Sequence, residues 1–420
     1  MRSTDHDAKR QFNEILSLID STYLLPQLRA KPKYVWVAVS TACDLRCGFC
    51  PRQYIEPVDS GFMDLERFRV TARQFDGLQK AALFGLGDPL LSKSFFEFVA
   101  ICHAHGLEIT TTSNGMSLTE DVARRLIESG VEELGVSMDA ATPALFRRLR
   151  APGDLDTICR NVERLSELKR QAGRAAPCLV IPCTISSENL HELPAMVDLA
   201  HRLGATGVSF SDLVAMREDF ARYCVPDSPE LNRRLEEAFQ RGKDLGLVVG
   251  RFRQKMNPWV GRAAETEGRP HGCPTLYEHF HLERRGETKY CCYIGDTIPG
   301  AFERPMMELL NSDPFVRLRE SLIQGRLRPE CRGCANLVVN SPERVEWILG
   351  EAEKRIDGAA LLGEAEREQL RQTVRACRDI APRVVGRPYA PPSDGWLRRL
   401  ARRGRLLLER GKMASPGGMR

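Results

Sequence analysis

Three cysteines lie close together in the stretch TACDLRCGFCPR, where Cys43, Cys47 and Cys50 are spaced C-x3-C-x2-C. Thiolates grouped in this way are ligands for soft metals. A structural zinc site closes with four ligands, and no fourth cysteine or histidine lies nearby in the sequence. An iron–sulfur cubane has four irons that each take one external ligand, so three cysteines leave one iron open. The spacing therefore favours a [4Fe–4S] cluster whose open iron binds a further molecule.

The motif resembles the signature of the radical S-adenosylmethionine (SAM) enzymes, whose three cysteines follow the first strand of a barrel. Phe49 matches the aromatic residue that usually precedes the last cysteine, where the family packs the adenine. The resemblance implies a [4Fe–4S] cluster on Cys43, Cys47 and Cys50, with SAM chelating the open iron. It also implies that one electron cleaves SAM to methionine and a 5′-deoxyadenosyl radical, which abstracts hydrogen from a substrate. A reductant such as flavodoxin or ferredoxin would supply the electron.

Other loops extend the resemblance, which covers about residues 34–250. The stretch GLGDP contains Gly85, Gly87 and Asp88, and it is similar to the motif that holds the methionine amino group, with Asp88 where Glu is more common. Arg150 matches a family arginine and is equally well explained as a solvated helix residue. The further predicted SAM contacts, near the ribose and the methionine carboxylate, are Ser113, Asn114, Ser137 and Asp139.

A second cysteine set comprises Cys273, Cys291, Cys331 and Cys334. Together with Gly286 it gives C-x12-G-x4-C followed by C-x2-C, which resembles the SPASM and twitch domains that bind auxiliary clusters. No further cysteine follows before Cys377, so the prediction is one auxiliary [4Fe–4S] cluster, as in twitch domains. Four thiolates also suit zinc, which makes a zinc ribbon the structural alternative. Cys292 competes with Cys291 as a ligand, and the glycine spacing favours Cys291.

Short β-branched runs alternate with longer amphipathic segments over the first 250 residues. Six such strand–helix units predict an α/β protein with a parallel sheet, either doubly wound or closed into a full or partial barrel. Ligands gather at the carboxyl ends of the strands in both architectures, and the first cysteine set and the polar loops fall there. The resemblance selects a partial (β/α)6 TIM-like barrel.

The predicted organisation has five parts. They are an N-terminal lead-in helix in 1–33, the partial barrel in 34–260, a small cysteine-rich SPASM/twitch domain in 265–340, a helical extension in 341–381, and a proline-rich linker with a basic tail in 382–420.

Composition excludes several function classes for this chain of 420 residues. A net charge of +5 is too small to imply nucleic acid, and the charged N-terminus predicts no signal peptide. No run of eighteen apolar residues occurs, so no membrane-spanning helix is predicted. Fourteen cysteines without an export signal indicate a reducing cytoplasm. The basic tail is predicted to be solvated, with weak contact to an anionic membrane surface or a partner as the alternative.

Three functions fit these features. The first is a small-molecule oxidoreductase that turns a carbinol into a ketone, similar to the aminocyclitol dehydrogenases, or an epimerase in which a thiol returns hydrogen. The second is a peptide or protein maturase of the formylglycine or thioether type. Only about 33 residues precede the first strand, too few for the leader-binding domain of many peptide modifiers, which favours a small substrate. The third is a non-catalytic iron–sulfur or zinc protein.

The sequence does not identify the catalytic base or hydrogen donor. Polar residues that follow the sixth strand or share one face of a later strand are candidates for substrate or cluster contacts, namely Asp212, Arg217, Glu218, His279 and His281.

Overall fold

The computed structural model describes residues 4–53, 60–215, 218–252, 268–292, 294–332, 334 and 336–386. The candidate Arg217 and the tail from residue 387 lie outside the described residues. In the described parts of the chain, no helix has both the length and the apolar character needed to cross a membrane.

Strands and helices alternate along the first 250 residues. The strands are β1 (Tyr34–Val37), β2 (Lys80–Leu83), β3 (Glu108–Ser113), β4 (Glu133–Val136), β5 (Cys178–Ile185), β6 (Gly207–Asp212), β7 (Val248–Phe252), β8 (His271–Gly272), β9 (His279–Leu282), β10 (Glu287–Lys289), β11 (Thr297–Pro299) and β12 (Val338–Val339). The helices are α1 (Thr4–Asp20), α2 (Leu65–Ala72), α3 (Phe95–Ala104), α4 (Glu120–Ser129), α5 (Pro143–Leu149), α6 (Leu155–Gln171), α7 (Leu193–Arg202), α8 (Pro229–Leu245), α9 (Pro274–Glu278), α10 (Met306–Leu310), α11 (Asp313–Ile323), α12 (Pro342–Asp357) and α13 (Glu364–Val384).

Polar side chains define where several helices begin, because each accepts a hydrogen bond from a backbone N–H in the first turn. These N-cap residues are Asp64, Thr119, Asp154, Ser228 and Ser341.

One parallel sheet of eight strands organises the chain, in the order β7-β6-β5-β4-β3-β2-β1-β9. The α/β prediction of a partial TIM-like barrel with six strand–helix units is confirmed, and the sheet carries two further strands, β7 and β9. Besides β7, the sheet gains β9 from the cysteine-rich region, where Tyr34 pairs with His279 and Val37 with Leu282. This strand covers the edge of β1, whose backbone groups would otherwise lack partners.

On β1, β3 and β5, buried side chains on one face of the sheet alternate with half-buried side chains on the other. Val35 and Val37 on β1 have no exposed surface, whereas Tyr34 and Trp36 between them are partly exposed. The eight residues of β5 alternate in the same way. The buried face packs against the helices, and the accessible face leaves room for ligands.

The described residues form two hydrophobic clusters. The larger one joins the sheet, its helices and the cysteine-rich region. The smaller one lies where α1 packs against α12 and α13, through side chains such as Ile19, Leu349 and Val374. The helical extension is thus attached to the first helix of the chain.

Candidate active site

The first cysteine set lies in the loop after β1, and all three thiols are half-buried. Backbone hydrogen bonds hold this loop against the end of α5. The N–H of Gly48 donates to Leu149 O over 2.9 Å, and the N–H of Arg46 donates to Ala151 O over 2.6 Å. These two hydrogen bonds attach the backbone of the cysteine loop to the segment at the end of α5.

The thiols of this loop lie near enough to one another to interact electrostatically. Burial raises the pKa of the Cys47 thiol to about 11, although Arg150 beside it opposes that shift; Asp139, Cys50 and Cys43 raise the pKa further. Burial also raises the pKa of Cys43. Metal binding replaces the proton on each thiol and removes this cost. Three half-buried thiols without a fourth fit a cubane that leaves one iron for SAM.

No three His, Cys, Asp or Glu side chains in the described parts of the chain are arranged to share a single metal ion. A cubane distributes its ligands over separate irons, so its thiolates do not meet at one point.

The glycine-rich loop after β2 packs directly on the start of the cysteine loop. The N–H of Gly87 donates to Ser40 O over 3.1 Å, and that of Asp88 donates to Ala42 O over 2.8 Å. A Cβ on Gly87 would lie 2.3 Å from Ala42 O, and one on Gly85 would lie 2.9 Å from the Cβ of Ala38. Neither position therefore accommodates a side chain, which explains the glycines in this motif.

The carboxylate of Asp88 points into the protein and is 2% exposed. Its Oδ1 accepts from the N–H of Leu90 over 2.9 Å, and its Oδ2 accepts from Ser113 Oγ over 2.8 Å and from the N–H of Asn114 over 2.7 Å. Burial raises the pKa of this carboxyl, although the three donors oppose the shift. Asp88 therefore ties the loop after β2 to the loop after β3, and its contact to the SAM amino group stays a prediction.

Asn114 connects the loop after β3 with the cysteine loop. Its Nδ2 donates to Asp44 Oδ1 over 2.6 Å and to Cys43 Sγ over 3.8 Å. Its Oδ1 accepts from the N–H of Met116 over 2.8 Å. The structure therefore brings Asn114 beside the first cysteine, and no contact with a ribose is tested.

Asp139 and Arg150 form an ion pair next to Cys47. The Nε of Arg150 donates to Asp139 Oδ2 over 2.7 Å, and Asp139 Oδ1 accepts from the N–H of Thr184 over 2.8 Å. The Arg150 side chain is only 13% exposed, so it is not a solvated helix residue. Burial lowers the pKa of Arg150, but the charges of Asp139 and Cys47 outweigh that effect and raise it. Ser137 lies nearby, with its N–H bonded to Ser113 O over 2.9 Å.

Phe49 packs against two aromatic rings that sequence reasoning missed. Its ring centroid lies 4.8 Å from that of Tyr223 and 6.1 Å from that of Phe220. Both partners belong to the short helical segment after β6, which begins at Glu218. No sequence signal linked this segment to residue 49, because the contact joins loops more than 170 residues apart. The ring of Phe49 is thus held in place by an aromatic cluster.

The second cysteine set comes together from three separate segments. Cys273 precedes α9 and is buried, while Cys331 and Cys334 lie in one turn, with the N–H of Cys334 donating to Cys331 O over 3.1 Å. Burial raises the pKa of Cys273 to about 12, and the charges of Cys334, Cys291 and Cys331 add to the shift. The predicted four thiols are therefore electrostatic neighbours.

Cys291 and Cys292 lie in different environments. Cys291 packs partly buried against the core, and its charge raises the pKa of Cys273, Cys331 and Cys334. Cys292 is exposed and lines a cavity. This arrangement agrees with the sequence-based choice of Cys291 as the ligand, which stays a prediction.

A cavity of about 610 Å³ is lined by both the barrel and the cysteine-rich region. The barrel contributes Cys47, Phe49 and Cys50 to its wall, and the cysteine-rich region contributes Cys292 and Lys289. Small-molecule sites have volumes of about 300–1,000 Å³. The cavity therefore lies where a molecule could contact the first cysteine loop and the second cysteine region together.

A hairpin between β9 and β10 supplies charged groups to this cavity. Glu283 and Lys289 both line it, and Lys289 Nζ lies 2.9 Å from Glu283 Oε1. Glu287 lines it as well. Sequence reasoning missed these residues, because only the left-handed turn at Gly286 brings them to the same side.

Asp212 at the end of β6 also lines the cavity and pairs with Arg251 on β7 over 2.8 Å. The candidate histidines lie on β9, where the rings of His279 and His281 are 6.1 Å apart and flank Trp36. Burial lowers the pKa of His279 to about 4 and that of His281 to about 3, so both are neutral at pH 7. Because β9 is a strand of the eight-stranded sheet, both histidines belong to the barrel sheet.

The sequence has relatives of known type. Residues 37–200 match the family described as Radical SAM superfamily. GTP 3′,8-cyclase of Caulobacter vibrioides is 32% identical over 244 residues, which cover 51% of this chain and 68% of that protein. The tungsten-containing aldehyde ferredoxin oxidoreductase cofactor-modifying protein of Pyrococcus furiosus is 24% identical over 189 residues, covering 44% of this chain and 52% of that protein. The chain thus spans about half the length of this second relative.

Solved structures share the architecture. Streptococcus suis SuiB bound to S-adenosylmethionine superposes with a TM-score of 0.56 at 16% identity, over 72% of this chain and 73% of that one. Native anSMEcpe with bound AdoMet gives a TM-score of 0.51 at 16% identity, over 83% of this chain and 99% of that one. At these identities the similarity concerns the fold alone.

Proposed function

Because the chain belongs to the radical SAM superfamily, whose members use a [4Fe–4S] cluster and SAM, we propose that it acts on a small polar substrate. The reaction is oxidation or epimerisation of a carbinol carbon in a sugar or an aminocyclitol. Cys43, Cys47 and Cys50 hold the SAM-binding cluster, and the second cysteine set holds one auxiliary [4Fe–4S] cluster. When bound, the first cluster and SAM supply a 5′-deoxyadenosyl radical, and the auxiliary cluster supplies an acceptor for the electron that the substrate loses.

The observation that carries this proposal is a cavity that the first cysteine loop and the cysteine-rich region line together. Cys47 and Cys50 line it, as does Cys292, the neighbour of Cys291. A volume of about 610 Å³ has to hold SAM and the substrate together, which favours a small substrate over a peptide. A substrate in this position lies within reach of both cysteine regions.

The side chains of the cavity have separate roles in this reaction. Phe49, which lines the cavity and packs against Tyr223, provides a ring face on which an adenine stacks. The Asp139–Arg150 pair fixes a polar wall beside Cys47. Oxidation of a carbinol also releases a hydroxyl proton, and the carboxylates of Glu283 and Asp212 are acceptors held in place by basic partners.

Epimerisation differs in its last step, since a hydrogen atom returns to the opposite face of the substrate carbon. Cys292 is exposed to the cavity, and we assign the donation of this hydrogen atom to its thiol. One electron from the external reductant and one proton then restore the thiol from the thiyl radical. Deuterium from the solvent would then appear on the substrate carbon, whereas a dehydrogenase would yield a ketone. The two outcomes are distinguished by mass spectrometry of the product.

Cyclisation of GTP, the activity in the name of one relative, is supported less well by the cavity. A triphosphate requires several cations, whereas the described cavity wall carries the four carboxylates Asp139, Asp212, Glu283 and Glu287. The two basic groups of that wall, Arg150 and Lys289, are already ion-paired.

The experiment is anaerobic incubation of reconstituted, reduced protein with SAM and candidate sugars or aminocyclitols that carry deuterium on their carbinol carbons. We expect 5′-deoxyadenosine to form and to acquire deuterium from the true substrate. A Cys47→Ala variant should lose this activity, and Cys178→Ala, which changes a half-buried cysteine on β5, should keep it. Absence of 5′-deoxyadenosine in every incubation would contradict the enzyme proposal and favour a binding protein.

A further inference from the structure

The ionised side chains in the described part of the cavity wall are unequal in number. The described wall carries the four carboxylates of Asp139, Asp212, Glu283 and Glu287. It carries two cationic side chains, those of Arg150 and Lys289. The wall is therefore acidic, and its charge depends on which carboxylates have partners.

Three of the four carboxylates are neutralised by a neighbour. Asp139 pairs with Arg150 over 2.7 Å, and Glu283 pairs with Lys289 over 2.9 Å. Asp212 pairs with Arg251 at the cavity wall over 2.8 Å. Because each of these three carboxylates already has a basic partner in the protein, none of them requires a cationic group on the ligand.

Glu287 is different, because no Lys, Arg or His of the described residues lies within 4.0 Å of its carboxylate. Its charge acts on Arg284 in the adjacent turn, but the two side chains form no ion pair. Arg251, a base near the wall, is shared between Asp212 and Asp227, whose Oδ1 lies 3.6 Å from Nη2 of Arg251. Among the described residues of the cavity wall, the Glu287 carboxylate is thus left without a cation.

The hairpin fixes Glu287 at the wall. Gly286 has a φ of +88°, and a Cβ at this position would lie 2.3 Å from the ring of Phe302. After this turn, the N–H of Glu283 donates to Glu287 O over 2.8 Å. Thr288 is fully buried, so the alternation of β10 turns Glu287 and Lys289 to the opposite, cavity side.

A substrate that fills the cavity removes water from the Glu287 carboxylate. An ion that loses water without gaining a partner is destabilised, and an anionic substrate adds repulsion. A neutral polyol offers only hydrogen bonds, whereas an ammonium group offers both charge and donors. We propose that Glu287 binds the ammonium group of the substrate, which makes the substrate class an amine-bearing polyol. The inference rests on the proposed function and names the substrate class of the same site.

The test measures binding rather than turnover. Anaerobic protein with both clusters and SAM is titrated with two pairs of probes, glucosamine against glucose and scyllo-inosamine against scyllo-inositol, by isothermal calorimetry. Within each pair the probes differ by an ammonium in place of a hydroxyl. We expect at least one amine to bind about tenfold more tightly than its hydroxyl partner, a difference typical of one half-buried ion pair.

Variants assign the preference to one residue. Glu287→Gln should abolish the amine preference, Glu287→Asp should keep part of it, and Glu303→Gln, an exposed acid of the same region, should leave it unchanged. Unchanged midpoints of thermal unfolding establish that each variant is folded. Equal binding of amine and hydroxyl probes, no binding of either amine, or a preference that survives in Glu287→Gln overturns the proposal. If the amine preference is found but no 5′-deoxyadenosine ever forms, the proposed function fails instead.

Discussion

Nδ2 of Asn114 lies 3.8 Å from Sγ of Cys43, so a side chain from the loop after β3 donates a hydrogen bond to the first cysteine of the cluster motif. Donors to a cluster thiolate stabilise the extra negative charge of the reduced cluster and raise its potential. We expect Asn114→Ala to lower the midpoint potential of the SAM-binding cluster, on the order of tens of millivolts. A redox titration followed by electron paramagnetic resonance measures this shift.

Asn161→Ala is the matched control for that measurement. Asn161 Nδ2 donates to Gly115 O over 3.0 Å and to Met116 O over 3.3 Å, so it holds the same loop without touching a cysteine. A potential that shifts equally in both variants would indicate a general loosening of the loop, which would contradict the assigned role of Asn114.

Asp88 should matter for the stability of the protein as well as for its ligands. Asp88→Ala leaves three buried donors, from Leu90, Ser113 and Asn114, without an acceptor. We expect a loss of about 2–4 kcal/mol in the free energy of unfolding, visible without SAM. Thermal unfolding of the reconstituted protein provides the measurement.

Asp154→Ala is the comparison for Asp88, because Asp154 is an N-cap that is only partly buried and its loss should cost only about 1 kcal/mol. If Asp88→Ala is no less stable than Asp154→Ala but binds SAM more weakly, the carboxylate serves the ligand rather than the loops.

Local sequence patterns were sufficient to predict the parallel α/β sheet and the first cysteine loop, and the family resemblance then selected the partial barrel. Both depend on short-range spacing: alternating strands and helices, and three cysteines within eight residues. The pairing of β1 with β9 could not be predicted from local spacing, because its partners, such as Tyr34 and His279, are far apart in the sequence and β9 has only four residues. The orientation of the Asp88 carboxylate could not be predicted either, because hydrogen-bond donors from the loop after β3 determine it. Glu287 could not be recognised either, since its cavity forms only when the hairpin folds against the barrel.

Cys291 and Cys292 should behave oppositely when each is replaced by serine. Cys291 acts electrostatically on all three other cysteines of the second set, whereas Cys292 lines the cavity. The wild-type protein should contain about eight irons for two cubanes. We expect Cys291→Ser to contain about four and Cys292→Ser to keep about eight.

Iron, sulfide and zinc analysis of the anaerobically purified proteins measures this difference. Loss of iron only in Cys292→Ser would reverse the ligand assignment. Four irons together with one zinc in the wild-type protein would establish the zinc ribbon and remove the auxiliary cluster from the proposal.

Asp20 should make the protein less stable as the pH rises from about 4 to about 6. Its carboxyl is 7% exposed, and burial raises its pKa from 3.8 to about 6, although the N–H groups of Ala30 and Arg29 donate to Oδ2 over 2.8 Å and oppose the shift. Between the unfolded and folded pKa values the native protein binds the proton and the unfolded chain does not, so stability falls with increasing pH. Above pH 6 the full penalty of the buried charge applies, about 3 kcal/mol.

Asp20→Asn removes the charge while Oδ1 of the amide keeps an acceptor for the same two N–H groups. We expect the variant to be more stable than the wild type at pH 8, by about 1–2 kcal/mol after the weaker hydrogen bonds are subtracted, and the advantage to shrink at pH 5. Thermal unfolding of both proteins at the two pH values measures the difference directly. An advantage that is the same at pH 5 and pH 8, or a variant that is less stable at pH 8, would contradict a raised pKa for Asp20, because only a group that titrates between these values makes the difference depend on pH.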